Sequence, residues 1–167
     1  MIFVDEERCN GCGNCRIACS MKHFGTVNPR FSRIRIEEFR DTGSFVPIVC
    51  QACEDSVCIK TCPMNARIRL ENGSVVTDEE RCIGCRACIY ICPLGAPEIN
   101  PCDGKSMTCD LCILDESGPW CVKACREQNA LILTSGKNVS KAKEREYASR
   151  VKETCAPPAN RAGRWIK

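Results

Sequence analysis

The stretch that most constrains this chain runs from Cys82 to Pro93 and has the spacing C-x2-C-x2-C-x3-C-P. Three thiolates on one short loop can hold three corners of a cubane cluster, and this spacing is typical of [4Fe–4S] sites. The start of a helix turns the fourth cysteine towards a second cluster. Gly84 lets the backbone approach inorganic sulfur without a Cβ. Pro93 suits the first helical positions, where its missing N–H would be unpaired anyway.

Cysteine quartets of similar spacing occur three more times. The first motif is Cys9, Cys12, Cys15 and Cys19; the second is Cys50, Cys53, Cys58 and Cys62, followed by Pro63; the third is Cys82, Cys85, Cys88 and Cys92; the fourth is Cys109, Cys112, Cys121 and Cys125. Sixteen of the eighteen cysteines are thereby used, which predicts four [4Fe–4S] clusters. We expect the other two, Cys102 and Cys155, to be partly buried free thiols.

The composition indicates that the fold needs covalent or metal cross-links. The 167 residues contain only 5% aromatic residues, too few large side chains for a conventional apolar core. Disulfides and zinc are the alternatives. We expect no signal peptide at the N-terminus, which disfavours disulfides and predicts a cytoplasmic protein. Zinc ribbons space paired C-x2-C units by long loops, unlike the four cysteines between residues 9 and 19.

The charge does not indicate a nucleic-acid partner. The formal charge is +3 without clusters, but each [4Fe–4S]²⁺ with four thiolates carries about −2, so the oxidised protein would be near −5. Arg16 and Arg86 lie beside ligand cysteines, where they would either favour the reduced clusters or be solvated loop residues. We expect His23 to make a surface or loop hydrogen bond, and Trp120 to shield a cluster from water.

Sequence patterns that would indicate catalysis are missing. We find no G-x-G-x-x-G after a strand, no C-x3-C-x2-C radical motif and no convincing substrate pocket. No stretch is long and apolar enough to span a membrane. We therefore expect a non-catalytic protein without a membrane span.

An internal repeat suggests how the motifs are organised. Asp5–Cys9 recurs as Asp78–Cys82, which indicates a duplicated unit covering about 1–73 and 74–136. Asn72-Gly73, flanked by alternating apolar and polar residues, predicts a hairpin between the second and third motifs. Duplication alone would pair the first motif with the second, whereas the hairpin joins the second to the third.

The expected fold class is α+β, with two ferredoxin-like modules of short strands and helices. The inner module covers 47–99, and the outer module covers 1–46 and 100–136. Alternation predicts strands at 31–39 and 45–49, the apolar run 130–133 predicts another, and 100–120 should be mostly loop. The remaining residues, 137–167, are expected to form a helical and extended tail that docks on a partner or on another copy of the chain.

The four motifs, in this order, resemble the four-cluster ferredoxin-type electron-transfer subunits of dimethyl sulfoxide reductase, formate dehydrogenase, hydrogenase and carbon monoxide dehydrogenase complexes. The resemblance covers about residues 1–135. The stretch 19–34 is also similar to the small subunits of tungsten-containing aldehyde oxidoreductases and benzoyl-CoA reductase. In this family a proline often follows the fourth cysteine of a motif, but here Ser20 follows Cys19 and Arg126 follows Cys125. The sequence therefore does not determine where helices start after these two cysteines.

The resemblance implies nested ligation, in which the first motif pairs with the fourth and the second with the third. The implied sets are set 1, Cys9, Cys12, Cys15 and Cys125; set 2, Cys50, Cys53, Cys58 and Cys92; set 3, Cys82, Cys85, Cys88 and Cys62; and set 4, Cys109, Cys112, Cys121 and Cys19.

The resemblance also implies a function in anaerobic metabolism. The chain would relay electrons between a larger catalytic subunit, most simply a tungsten or molybdenum pterin enzyme such as an aldehyde oxidoreductase, and an external redox partner. Other implied partners are a flavin- or NAD-containing subunit, a ferredoxin-reactive subunit and a second copy of the chain. The alternatives are a free polyferredoxin shuttle and a self-assembling electron-conducting scaffold.

Overall fold

The computed structural model describes residues 1–126 and 128–134, which belong to the compact unit Met1–Thr134. The predicted tail, 137–167, and Cys155 lie outside the described residues. The elements are short: β1 Ile2–Val4, α1 Asn14–Phe24, β2 Arg35–Phe39, β3 Ser44–Ile48, α2 Val57–Lys60, β4 Arg67–Arg69, β5 Val75–Thr77, α3 Ala87–Ile91, β6 Glu98–Ile99, β7 Ser106–Met107, α4 Trp120–Ala124 and β8 Leu131–Leu133. The mixture of short helices and strands agrees with the expected α+β class.

The strands pair as four antiparallel two-stranded sheets: β1 with β8, β2 with β3, β4 with β5 and β6 with β7. The first sheet joins the two ends of the described chain, with Ile2 opposite Leu133 and Val4 opposite Leu131. The amine of Met1 donates to the Thr134 carbonyl at 3.0 Å, and the Thr134 N–H donates back to the Met1 carbonyl at 2.9 Å. An isolated pair of strands is only marginally stable in water. Each of these sheets must therefore be stabilised by packing against other parts of the protein.

The hairpin predicted at Asn72-Gly73 is confirmed as β4–β5. Its turn is closed by a hydrogen bond from the Leu70 N–H to the Ser74 carbonyl at 2.9 Å, and Gly73 takes a φ of +83°. The predicted strand at 130–133 is also confirmed, as β8. The strand predicted at 31–39 is too long, because Pro29–Phe31 forms a 3-10 turn before β2. In the segment expected to be mostly loop, β7 pairs with β6.

In β4 a charged side chain is buried and the neighbouring apolar side chain is exposed, the reverse of the usual arrangement. Arg67 is only 3% exposed, whereas its neighbour Ile68 is 38% exposed. A buried arginine requires compensating negative charge or hydrogen bonds, so the surroundings of this strand differ from an apolar core.

The buried core is small and rich in sulfur. Its fully buried cluster contains four aliphatic side chains and three cysteines: Ile2, Ile34, Val49, Leu131, Cys15, Cys19 and Cys121. Helix α1 packs on α4, and α2 packs on α3. The first and fourth motifs therefore share one helix pair, and the second and third motifs share the other. Within residues 1–126 and 128–134, no helix is long and apolar enough to cross a membrane.

Candidate iron–sulfur sites

The C-x2-C turn has the same backbone conformation in all four motifs. The residue before the second cysteine is left-handed each time, with φ of +73° at Gly11, +47° at Ala52, +68° at Gly84 and +61° at Leu111. This conformation costs a residue with a Cβ roughly 1–2 kcal/mol. Because alanine and leucine adopt it as well as glycine, the site geometry requires the turn.

Gly84 has a second reason to be glycine. A Cβ built on it would lie 2.8 Å from the Gly104 carbonyl oxygen, so a neighbouring loop approaches this turn closely. The sequence predicted a close approach of inorganic sulfur at Gly84, and the structure adds this contact with the 100–105 loop.

We therefore expect Gly84→Ala to destabilise the protein more than Gly73→Ala. Both positions have φ above +60°, but a Cβ at Gly73 meets nothing within 4 Å. The Gly73 variant should lose about 1 kcal/mol from backbone strain, and the Gly84 variant about 1–3 kcal/mol more from the clash. The measurement is the urea concentration at which visible cluster absorbance is lost. Equal sensitivity of the two variants would contradict the close contact.

Backbone N–H groups point at the fourth cysteines of the two inner motifs. The Ala66 N–H donates to Cys62 Sγ at 3.2 Å, and the Ala96 N–H donates to Cys92 Sγ at 3.4 Å. Both alanines are buried. Such hydrogen bonds stabilise thiolates and help to set cluster potentials. We did not predict this feature from the sequence, although C-P-x-x-A appears in both motifs.

The thiols of set 1 line one cavity together, as do those of set 3. The first cavity contains Cys9, Cys12, Cys15 and Cys125, beside Ile36, Pro47 and Leu131. The second contains Cys62, Cys82, Cys85 and Cys88, beside Arg67, Arg86 and Ser106. Ser106 Oγ lies 3.2 Å from Cys88 Sγ, and its hydroxyl would donate to that sulfur once it is a thiolate.

The thiols of set 4 lie close together; three of the four cysteines are buried and Cys109 is partly buried. The pKa of Cys121 is raised, mainly by burial and then by the neighbouring thiolates of Cys109 and Cys19. Cys19 Sγ also accepts a hydrogen bond from the Arg33 N–H at 3.3 Å. These residues come from α1, the fourth motif and α4, so helix packing assembles the group from distant parts of the sequence.

Two thiols of set 2 are close enough to a third, Cys50, to raise its pKa. Burial raises the pKa of Cys50, and the charges of Cys58 and Cys53 raise it further. Cys92, the fourth member, follows α3, which packs against the helix carrying Cys58.

Burial keeps several thiols protonated when no metal is bound. The pKa of Cys15 is raised to about 12 by burial and by the neighbouring Cys125 and Cys9. Burial likewise raises the pKa of Cys109 to about 12. Because metals bind thiolates, metal binding at these residues releases protons.

The spacing of the thiols fits a cluster better than a single zinc ion. Four thiolates around zinc, with bonds of about 2.3 Å, would lie roughly 3.8 Å apart. In the described part of the chain, the only trio of potential ligand atoms within 4.8 Å of one another is His23, Asp110 and Cys112. The cysteine sets are therefore more widely spaced, as a larger group of several irons requires, and their thiolate donors are those that iron–sulfur clusters take.

The expectation for His23 is wrong in part, because the residue is half-buried in α1 and lies beside set 4. Its Nε2 is 3.5 Å from Asp110 Oδ1 and 3.9 Å from Cys112 Sγ. Burial, and then the charge of Arg33, lowers its pKa. Arg33 also forms an ion pair with Asp110 at 2.8 Å. Together these contacts connect α1 and its following loop to the fourth motif.

Other single-residue expectations meet mixed outcomes. Cys102 is exposed, so its predicted partial burial is wrong. Arg86 is exposed, whereas Arg16 has a buried Nε without a hydrogen-bond partner among the described residues. Trp120 begins α4 and donates its indole N–H to Asp115 at 2.7 Å. Its side chain is 38% exposed, and the shielding role stays a prediction.

Two family models match the chain. A model described as a 4Fe-4S dicluster domain matches residues 42–135, which is more than half of the chain. A model described as a 4Fe-4S binding domain matches residues 6–22, around the first motif. The two models together include all four cysteine motifs.

The curated relatives of this chain include subunits of oxidoreductases. The chain is 38% identical, over 81% of its length and 78% of the relative's, to the polyferredoxin-like subunit of an aliphatic sulfonate oxidoreductase from Pyrococcus furiosus. It is also 38% identical to the B subunit of the anaerobic dimethyl sulfoxide reductase of Escherichia coli, over 74% of its own length and 67% of the relative's.

A solved structure, the BamBC active-site complex of benzoyl-coenzyme A reductase with benzoyl-CoA, contains a polypeptide 26% identical to this one. The TM-score is 0.49, and the match covers 93% of this chain and 91% of the other.

The family models and these relatives identify 4Fe–4S binding and electron transfer as the chemistry of the cysteine motifs. The relatives are electron-transfer or iron–sulfur subunits of reductases and are not the catalytic subunits. This chain therefore belongs to the 4Fe–4S dicluster family, among the ferredoxin-type electron-transfer subunits of oxidoreductases.

Proposed function

We propose that this chain carries four [4Fe–4S] clusters and relays single electrons between a larger catalytic subunit and an external redox partner. The observation that carries the proposal is the gathering of cysteines in the compact unit. Sets 1 and 3 each line one cavity, the other thiols of set 4 raise the pKa of Cys121, and two thiols of set 2 raise that of Cys50.

The nested assignment of ligands is part of this proposal. It is supported by the packing of α1 on α4 and of α2 on α3, and by the hairpin between the second and third motifs. Each cluster, when bound, takes up and releases one electron. The protein holds the thiolates in place, donates backbone N–H groups to their sulfurs and limits the access of water.

The catalytic partner that we propose is a tungsten or molybdenum pterin enzyme of the aldehyde oxidoreductase type. The support is the similarity of residues 19–34 to small subunits of such enzymes, and the oxidoreductase complexes named for the relatives. We further propose a cytoplasmic location and a docking role for 137–167.

The iron content tests the number of clusters. Protein purified without oxygen should hold about sixteen irons and about sixteen acid-labile sulfides per chain. A single two-cluster site would give about eight of each. Stoichiometric zinc, or iron near eight, would refute the four-cluster assignment.

Purification of the native assembly tests the partner. Size-exclusion chromatography should show the chain co-eluting with one large subunit, and that fraction should contain tungsten or molybdenum. A monomer would support the free shuttle instead, and a polydisperse species of high mass would support the self-assembling scaffold.

A further inference from the structure

Arg67 is the most deeply buried charged side chain in the described part of the protein, with 3% of its surface exposed. It stands in β4, directly after the second motif, and its guanidinium lies among residues from both inner motifs. A guanidinium stays charged at every pH that a protein survives. Its burial therefore places a permanent positive charge beside the second and third cysteine motifs.

The described surroundings provide no carboxylate for this charge. Across residues 1–126 and 128–134, none of the ion pairs includes Arg67. Its Nη1 donates to the hydroxyls of Thr77 at 2.6 Å and Thr108 at 2.9 Å, and its Nη2 approaches the Val75 carbonyl at 3.5 Å. The Nε is buried and lacks a hydrogen-bond partner in the same part of the chain. An uncompensated buried charge is strongly destabilising.

Thiols of two different sets border the guanidinium. Its Nη2 lies 3.9 Å from the Sγ of Cys58, which belongs to set 2. Arg67 also lines the cavity shared by the thiols of set 3.

We infer that Arg67 is a counter-ion shared by the two inner clusters, and that it raises the reduction potentials of both. This inference rests on the proposed function, because it requires clusters at sets 2 and 3. Each oxidised cluster with its thiolates carries about −2, and reduction adds a further negative charge. A fixed positive charge between the two favours reduction at either one, and it acts strongly because burial limits solvent screening.

The residue type suits this position. Arginine spreads its charge over a planar fork and is less strongly hydrated than lysine, so it is the easier cation to bury. The two threonine hydroxyls hold the fork in one orientation through Nη1, while Nη2 lies near the Val75 carbonyl and the Sγ of Cys58. Thr108 in turn donates to the Val75 carbonyl at 2.8 Å, which fixes its own hydroxyl.

The test compares Arg67→Gln with Arg81→Gln in the full-length protein purified without oxygen. Arg81 is the matched control, because it directly precedes Cys82 but its side chain is 61% exposed. Iron and sulfide are measured first, and the clusters are then reduced stepwise with dithionite and followed by electron paramagnetic resonance. Iron near eight in the unmodified protein would refute the four-cluster function itself, separately from any role of Arg67.

With all clusters present, Arg67→Gln should lower two of the four midpoint potentials and leave the other two unchanged. Arg81→Gln should leave all four unchanged. A shift of one potential or of none, or an equal shift in the Arg81 variant, would overturn the inference.

Arg67→Lys provides a second test, because it keeps the positive charge and removes the planar guanidinium. Its two inner potentials should stay nearer to those of the unmodified protein than the glutamine variant's do. If Arg67→Gln fails to assemble the inner clusters, Arg67→Lys should restore both of them. Failure of the lysine variant to do so would show that charge is not what Arg67 supplies, and would overturn the inference.

Discussion

Removal of iron from the purified protein is expected to unfold the unit Met1–Thr134. The four two-stranded sheets of the described residues are individually marginal in water. Three of the seven residues in the fully buried core are cysteines proposed to bind clusters. Without iron these thiols become protonated, and their cavities lose the group that the surrounding loops pack against.

The measurement is amide hydrogen exchange before and after anaerobic treatment with an iron chelator. Protection should be lost throughout the unit, including β1 and β8, the sheet that joins its two ends. A parallel sample treated with the chelator and a thiol reductant together shows whether disulfide formation contributes. A stable apoprotein with protected β1 and β8 would contradict the prediction.

Replacement of Cys19 by serine should remove or convert one cluster and leave the inner pair intact. In the nested assignment Cys19 completes set 4, and its sulfur lies near Cys109 and Cys121. Loss of that cluster lowers the iron content from about sixteen to about twelve per chain. Its resonance signal should change, while the signals of sets 2 and 3 remain.

Cys102→Ser is the matched control for this experiment, because Cys102 is exposed and belongs to none of the sets. It should keep the full iron content and all the signals. A change in an inner cluster of the Cys19 variant would instead favour pairing of the first motif with the second.

Local features of the fold were predictable from the sequence. The hairpin at Asn72-Gly73 depends on residues adjacent in the chain, and the structure confirms it as β4–β5. The strand after the fourth motif was predictable for the same reason. The bounds of β2 were less so, because the 3-10 turn Pro29–Phe31 ends inside the predicted strand 31–39 and β2 begins only at Arg35.

Features that depend on distant residues were not predictable. The partner of β1 is β8, and nothing near Ile2 indicates Leu133. His23 meets Asp110 and Cys112 only because α1 packs against the fourth motif. Exposure of Ile68 and burial of Arg67 break the usual rule for an amphipathic strand. In the function that we propose, the negative charge of the inner clusters, rather than hydrophobicity, would decide which face of β4 is inside.

The pairing of β1 with β8 also constrains how the protein is made. A ribosome releases the first motif long before residues 131–133, so β1 has no partner strand while most of the chain is being synthesised. Closing a loop of this length costs about 4 kcal/mol of chain entropy, and the outer sheet alone returns too little to offset it early.

The cavity of set 1 has the same requirement, since Cys125 joins three cysteines near the N-terminus. The four thiols of set 3, by contrast, are all present once Cys88 has emerged. With the sets that we propose as cluster ligands, maturation would proceed from the middle of the chain outwards, and the N-terminal cysteines, although translated first, would be among the last to acquire a cofactor. Until Cys125 has emerged they would be exposed nucleophilic thiols, and the nascent chain would then be most vulnerable to oxygen at its oldest end.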